Sequence, residues 1–246
     1  MAVSTKTKTK KVVRGSLRRL GVDLVWWQPQ SSPEAALVKM LSQHRIDTVL
    51  DVGANEGQYA LLVRELGFRG RIISFEPLAT AYQGLQRSAA KDPLWTIAPR
   101  MAIGCRNGQT SINVASNSVS SSVLPILGNL ERAAPDVSYV GSEVVPITRL
   151  DCAASELLSD AQNIFLKVDV QGYELEVLQG AAELLPRIVG AQLELSFVPL
   201  YEGQTLFHSL IDFMIHRGFS IWGIMPGLVD NSSGRLLQTD VIFFRQ

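Results

Sequence analysis

The sequence predicts an α/β chain built on a doubly wound, mostly parallel seven-stranded sheet with helices on both faces. Three observations predict it. Short β-branched and aliphatic runs alternate along the chain with segments of helical period. The run TVLDVGANEG, Thr48 to Gly57, joins an apolar strand to a helix through two glycines four residues apart. A second apolar run, RIISFEP, ends in Glu76, which lies 25 residues after Asp51, the separation that one strand–helix–strand unit requires.

The elements follow in order. After an arm over residues 1–30, Pro33 to His44 has helical spacing, and Thr48 to Val52 reads as a strand buried on both faces. Tyr59, Leu62, Val63 and Leu66 recur at helical intervals from Glu56 to Leu66, and the second strand runs to Glu76. Ala79 to Ala90 is a helix, Leu94 to Ala102 contains the third strand, and Leu166 to Val170 is the fourth. Between those two lies an irregular insert, about residues 109–149, whose runs TSINVASN and VVPITRL are strand-like and suited to pair with each other. Glu174 to Leu185 is a helix, Gln192 to Phe197 the fifth strand, Leu206 to Arg217 a helix, Phe219 to Ile224 the sixth strand, and Thr239 to Arg245 closes the sheet.

The glycine spacing narrows the ligand. A dinucleotide loop reads G-x-G-x-x-G because a pyrophosphate needs several backbone N–H groups close by. Here the loop is D-x-G-x-x-x-G, with Asn55 where the second glycine of that fingerprint would stand, so a diphosphate is disfavoured. Gly53 lets the backbone turn beside a ligand, and Gly57 opens a helix with free N–H groups. An acid ending the second strand, Glu76, is placed to accept hydrogen bonds from a ribose diol.

On DVGANEGQYA (Asp51 to Ala60), SFEP (Ser74 to Pro77) and LKVDVQGYELEVLQG (Leu166 to Gly180), the chain resembles the FkbM family of class I S-adenosylmethionine-dependent methyltransferases. Looser matches are the serine cluster SVSSSV, TRLD at Thr148 to Asp151, and LELSFVPLYEG at Leu193 to Gly203. Together they span Thr48 to near the C-terminus, with Tyr173 a departure where the family usually has a small residue. The resemblance implies the Rossmann-like strand order 3-2-1-4-5-7-6 with the last strand antiparallel, residues 31–246 being the methyltransferase domain. It implies that Asp51 with the loop Gly53, Ala54, Asn55, Glu56 and Gly57 holds the methionine end of S-adenosyl-L-methionine, Glu76 and Pro77 the ribose, and Ala102 with Ile103 the adenine, Asp169 lying beside the cofactor.

Polar residues inside apolar strands mark the chemistry. Alternation puts Lys167 and Asp169 on one face of their strand, and Gln192, Glu194 and Ser196 on one face of the next. A charge in a covered strand costs several kcal/mol unless paired, so Lys167 is expected to meet Glu194 or Asp169 across the sheet. The structural reading is a buried ion pair; the functional one is a group flanking an acceptor hydroxyl. Methyl transfer to an alcohol needs the oxygen aligned and its proton removed, for which Asp169 and Glu194 are the candidate bases, with Lys167 tuning their charge. Glu174 sits in the first turn of its helix, where it either complements the dipole or reaches the acceptor. Ser121 and Ser122 of the insert, with Tyr201 and Glu202, are expected to contact substrate, since loops at strand ends carry specificity. A divalent cation on Asp169 and Glu194 is the less favoured alternative.

Composition agrees with a globular enzyme: 246 residues, 46% hydrophobic and 19% charged. Basic and acidic residues both total 23, but seven of the basic ones (Lys6, Lys8, Lys10, Lys11, Arg14, Arg18, Arg19) lie in Met1 to Val22, which has no acid. That arm reads first as a solvated or locally packed tail. Its second reading is a peripheral contact with anionic membrane through Leu17, Leu20, Val25, Trp26 and Trp27, and nucleic acid comes last. No run approaches a membrane span or a signal-peptide core, so the expected location is the cytoplasm, or the inner membrane face if the arm binds lipid. Cys105 and Cys152 are expected to be buried thiols, and His44 to sit as a cation at the end of the first helix. The expected function is O-methylation of a hydroxyl, with a sugar in a bacterial glycan or glycolipid as first acceptor. The alternatives are a macrolide-like natural product, or a non-catalytic nucleoside-binding protein on the same fold.

Overall fold

A computed structural model describes residues 14–23 and 27–245 of the chain. The elements that carry the site are α1 (Pro33–Gln43), β1 (Thr48–Val52), α2 (Gln58–Glu65), β2 (Arg71–Phe75), α3 (Ala79–Ala89), β3 (Trp95–Ile97), β4 (Ala102–Ile103), β5 (Gly108–Ala115), α4 (Gly128–Ala133), β6 (Tyr139–Thr148), α5 (Leu150–Ala153), β7 (Ile164–Val168), α6 (Glu174–Gly180), β8 (Ile188–Ser196), α7 (Phe207–Ile215), β9 (Phe219–Pro226), β10 (Val229–Asp230), β11 (Arg235–Leu236) and β12 (Gln238–Arg245).

Seven strands form one sheet in the order β3-β2-β1-β7-β8-β12-β9. Counted along the chain this is 3-2-1-4-5-7-6, and β12 runs antiparallel to both β8 and β9. The expected order and the reversed last strand are both present. Alternation divides the strands between two cores. Leu50, Val52, Leu166, Val168, Leu193 and Val241 pack with α6 and α7, whereas Val49, Phe165, Ile242 and Phe244 pack with α1 and α2. Asp51, Lys167, Glu194 and Asp240 share the parity of the second set. The sheet therefore carries its charged row on the face covered by α1 and α2.

Local signals explain the boundaries that matter for the site. α1 starts at Pro33 behind Ser32, whose side chain accepts from the Ala35 N–H at 3.2 Å. α2 starts at Gln58, because Gly57 stands in the left-handed region at φ 93° and a Cβ there would lie 2.6 Å from the Trp95 ring.

Several expectations change. Ala102 leaves the third strand: with Ile103 it forms β4, which pairs parallel with β6. The two insert strands do pair, β5 antiparallel to β6, and the three form a separate sheet. The insert also contains the helix α4, and a hairpin, β10–β11, turns through Asn231 to Gly234 before the final strand. Both cysteines are exposed rather than buried, Cys105 in the bend after β4 and Cys152 on the outer side of α5. His44 does cap the helix end, but it stacks on Phe244 at 3.9 Å and meets Trp222 edge-on at 4.6 Å. Burial among those rings lowers its pKa, so the neutral imidazole is favoured and the expected cation is not.

Of the basic arm, Lys6, Lys8, Lys10, Lys11, Val25 and Trp26 lie outside the described residues. Arg14 and Arg18 both donate to Asp23, at 2.5 and 2.8 Å, while Leu20 and Trp27 are exposed. Among the described residues no helix is long and apolar enough to cross a membrane.

Candidate active site

The order β2-β1-β7-β8 brings the carboxyl ends of β1 and β7 side by side where the winding reverses, which is where an open α/β sheet has its crevice. The backbones meet closely there. Gly53, at φ 81°, has no Cβ, and one would lie 1.8 Å from the Asp169 carbonyl oxygen. Over this junction lies a cavity of about 280 Å³.

One wall of the cavity comes from Gly53, Ala54, Asn55, Glu76 and Pro77, another from Ala102 and Ile103, and a third from Lys167 and Asp169. The insert roofs it with Ser118, Val119, Ser121 and Ser122. Asn55 joins roof to floor by donating to Ser118 Oγ at 3.1 Å. Asp51, Glu56 and Gly57, also named from the sequence, stand outside the lining. Asp51 is fully buried beneath it, Gly57 packs on Trp95, and the exposed Glu56 lies along Gly84 of α3.

Glu76 is almost enclosed, at 4% exposure, and each carboxylate oxygen accepts one backbone N–H: Asn55 to Oε2 and Leu78 to Oε1, both at 2.8 Å. Burial pushes its carboxyl up to about 7 against the pull of those N–H groups. Each oxygen keeps a free lone pair for a further donor.

Lys167 is the cation of the group. It lies 3.3 Å from Asp169 Oδ2 and 3.5 Å from Asp51 Oδ1, donates to the Gly53 carbonyl at 3.4 Å, and faces the Tyr59 ring. Burial works to lower its pKa, but Asp169 and Asp51 outweigh it and hold the ammonium charged. Of the two expected partners it meets Asp169 and not Glu194. The reason is register: Lys167 stands level with Asp51 on one side and Gln192 on the other, so Glu194 is one pleat further along. Glu194 instead accepts from the Gln171 amide at 2.7 Å and the Gln238 amide at 3.0 Å. Burial and the neighbouring Asp169 raise its pKa well above the ordinary carboxylate range.

The residues expected to contact substrate divide. Ser121 and Ser122 face the cavity. Glu174 turns inward, at 1% exposure, and accepts from Gly172 and Val170 N–H. Tyr201 is fully buried and donates to Gln171 Oε1 at 2.7 Å, while Glu202 is exposed and off the cavity. Among the polar lining residues that the sequence reading did not single out are Gln171 and Asp240. Gln171 stands two residues after Asp169 in VDVQGYE, and Asp240 is a lone acid in the apolar run of β12. Burial lifts Asp240 to about 6, helped by Asp169. An acid inside an apolar strand was the signal used for Lys167 and Glu194, and it applied equally to Asp240. Among the described residues no group of three or more histidine, cysteine or acidic side chains is arranged to hold a metal ion.

The cavity is therefore carboxylate-rich, with Glu76, Asp169 and Asp240 around the ammonium of Lys167, apolar along Ala102 and Ile103, and set at a helix start. That donor set fits a nucleoside bearing a cationic centre and no phosphate. With the strand order 3-2-1-4-5-7-6, the fold and the crevice define a class I S-adenosylmethionine-dependent methyltransferase. Residues 51–221 match the methyltransferase FkbM domain, and the chain belongs to that family. A 2-O-methyltransferase NoeI of Sinorhizobium fredii (strain NBRC 101917 / NGR234) is 24% identical over 172 residues, covering 68% of this chain and 70% of its own. The crystal structure of a methyltransferase FkbM from Methylobacillus flagellatus KT matches with a TM-score of 0.52 at 16% identity over 81% of this chain, a likeness of fold. The present chain spans 44% of that protein's length.

Proposed function

We propose that this chain is an O-methyltransferase whose acceptor is a sugar hydroxyl in a bacterial glycan or glycolipid. The observation that carries the reading is the setting of Asp169. Its side chain is one-third exposed to the cavity (32%), and each oxygen is held by a different partner, Gln171 on Oδ1 at 2.7 Å and Lys167 on Oδ2 at 3.3 Å. A carboxylate so held is a pre-aligned proton acceptor at a crevice otherwise closed by the insert. The hydroxyl specificity is supported by the Sinorhizobium relative, a 2-O-methyltransferase.

When bound, S-adenosylmethionine supplies an electrophilic methyl group on a sulfonium, with a neutral thioether as the departing group. Glu76 is the proposed acceptor for the ribose hydroxyls, with a lone pair left on each oxygen. Ala102, Ile103 and Leu78 offer the apolar surface for the base. Asp169 receives the proton of the acceptor hydroxyl, with Lys167 3.3 Å from its Oδ2. The serines of the insert and the buried carboxylates exclude bulk water and provide hydrogen bonds for a polyol. Glu194 does not line the cavity, and we assign it to supporting Asp169 rather than to contact with substrate.

The test is Asp169→Asn, assayed with labelled S-adenosylmethionine on a panel of methyl glycosides and glycolipids. Turnover should fall about 10²–10⁴-fold, the range for loss of a general base. Calorimetric affinity for S-adenosylmethionine should change little. Parental turnover in the variant would remove Asp169 as the base, and no transfer by the parent to any sugar would remove the acceptor class.

A further inference from the structure

We infer that Gln171 is a positioning residue: its side-chain amide sets the direction in which Asp169 presents its carboxylate and ties that direction to Tyr201, while its backbone carbonyl is held by Ser122 of the insert. This rests on the reading of Asp169 as the base.

Gln171 has φ 55°, a left-handed conformation uncommon outside glycine, in the loop between β7 and α6. Its backbone carbonyl accepts from Ser122 Oγ at 2.6 Å. Its Nε2 donates to Asp169 Oδ1 and to Glu194 Oε2, each at 2.7 Å, and its Oε1 accepts from the Tyr201 hydroxyl at 2.7 Å. The NH₂ side of the amide, which carries its protons, faces the two acids, and the oxygen faces Tyr201. Tyr201 has one proton to give, and the contact with Gln171 is shorter than its 3.3 Å contact with the Ser120 carbonyl. Because Tyr201 is fully buried, the lock on the amide oxygen does not swing away.

The consequence for Asp169 is geometric. With Oδ1 held by Gln171 and Oδ2 by Lys167, the carboxylate plane cannot turn, and its remaining lone pairs keep a fixed direction into the cavity. The partners of the lock lie far away in sequence, on the insert and on the segment after β8. Those are the segments expected to touch the acceptor, so their placement is transmitted to the base through one residue, the insert by its backbone carbonyl and Tyr201 by its side-chain amide.

The test compares Gln171→Ala, Tyr201→Phe and Asp169→Asn on whichever methyl glycoside the parent methylates. Gln171→Ala should lower kcat about 10–100-fold, the scale of a misaligned reacting group, with affinity for S-adenosylmethionine within about threefold. The acid limb of its pH–rate profile should move to higher pH, because the amide donor to Asp169 Oδ1 is gone. Tyr201→Phe leaves the amide in place without its lock, and should produce a smaller kcat loss with the same shift of the limb. It also serves if Gln171→Ala does not fold. A kcat within twofold of the parent with an unmoved profile would overturn the inference, as would a parallel loss of turnover and cofactor affinity. Parental rates in Asp169→Asn would instead break the reading of the base, which separates the two failures.

Discussion

Asp51 and Asp169 stand at the carboxyl ends of adjacent strands, both against Lys167, yet they occupy different worlds. Asp51 belongs to β1 proper, is fully buried, accepts from Ser74 Oγ at 3.3 Å, and has its pKa raised by burial despite Lys167. Asp169 follows the last residue of β7 and has a side chain 32% exposed to the cavity. Register makes the difference: Asp51 stands level with Lys167, and Asp169 is two residues beyond that level. One pleat of displacement turns a counter-ion in the floor into a carboxylate in the wall. A strand-end acid in this fold thus has its role decided by its level relative to its neighbours.

The contrast breaks first at the shared cation. Lys167→Met leaves Asp51 buried without its partner and should destabilise the domain by about 3–5 kcal/mol, read by urea unfolding. Adding Asp51→Asn should recover part of that loss, whereas adding Asp169→Asn should recover little, since Asp169 is open to solvent. Equal recovery by both would erase the distinction between floor and wall. Next in size is the junction of the two strands. Gly53→Ala combines a left-handed backbone with a clash against the Asp169 carbonyl and should cost about 2–4 kcal/mol, together with cofactor binding. A variant with parental stability would mean that the two strand ends are not in contact.

The smallest effect sharpens the comparison through Glu174, which supports the loop that carries Asp169 past the sheet. Burial pushes its carboxyl up to about 7, above the ordinary 4.5, so the folded protein holds this proton more tightly than the unfolded chain. The resulting stability is complete below about pH 4.5 and is lost as pH rises through about 7. Glu174→Gln keeps an acceptor for the Gly172 and Val170 N–H groups without a charge. It should raise stability by about 1–3 kcal/mol at pH 8 and leave it nearly unchanged at pH 4.5. Equal gains at both pH values would assign the effect to packing instead.

Much of this architecture is legible in the chain because strand parity and turn chemistry are local. Leu50 and Val52 against Val49, the turn at Gly53, and the acid at Glu76 all follow from spacing alone. Parity placed Lys167 and Glu194 on one face, but stagger between strands depends on an irregularity at Ile164 and Phe165 that no local pattern announces. The neutral setting of His44 comes from Trp222 and Phe244, nearly two hundred residues downstream, and the lock on Gln171 from Ser122 and Tyr201. The cysteines illustrate the opposite error, where a residue type usually enclosed lies in a bend and on a helix face that nothing covers.

The reversed strand β12 has a consequence for how the domain comes into being. It is threaded between β8 and β9 after both have been synthesised, so until residues 238–245 emerge those two strands present open hydrogen-bonding edges. Of the seven strands of the sheet, β12 is the last in chain order, and with it comes Asp240, since an antiparallel strand brings its beginning rather than its end to the crevice. A nascent chain that has not reached this point holds the glycine loop and Glu76 already made but has a gap in the wall, and its unpaired edges are what a chaperone would meet.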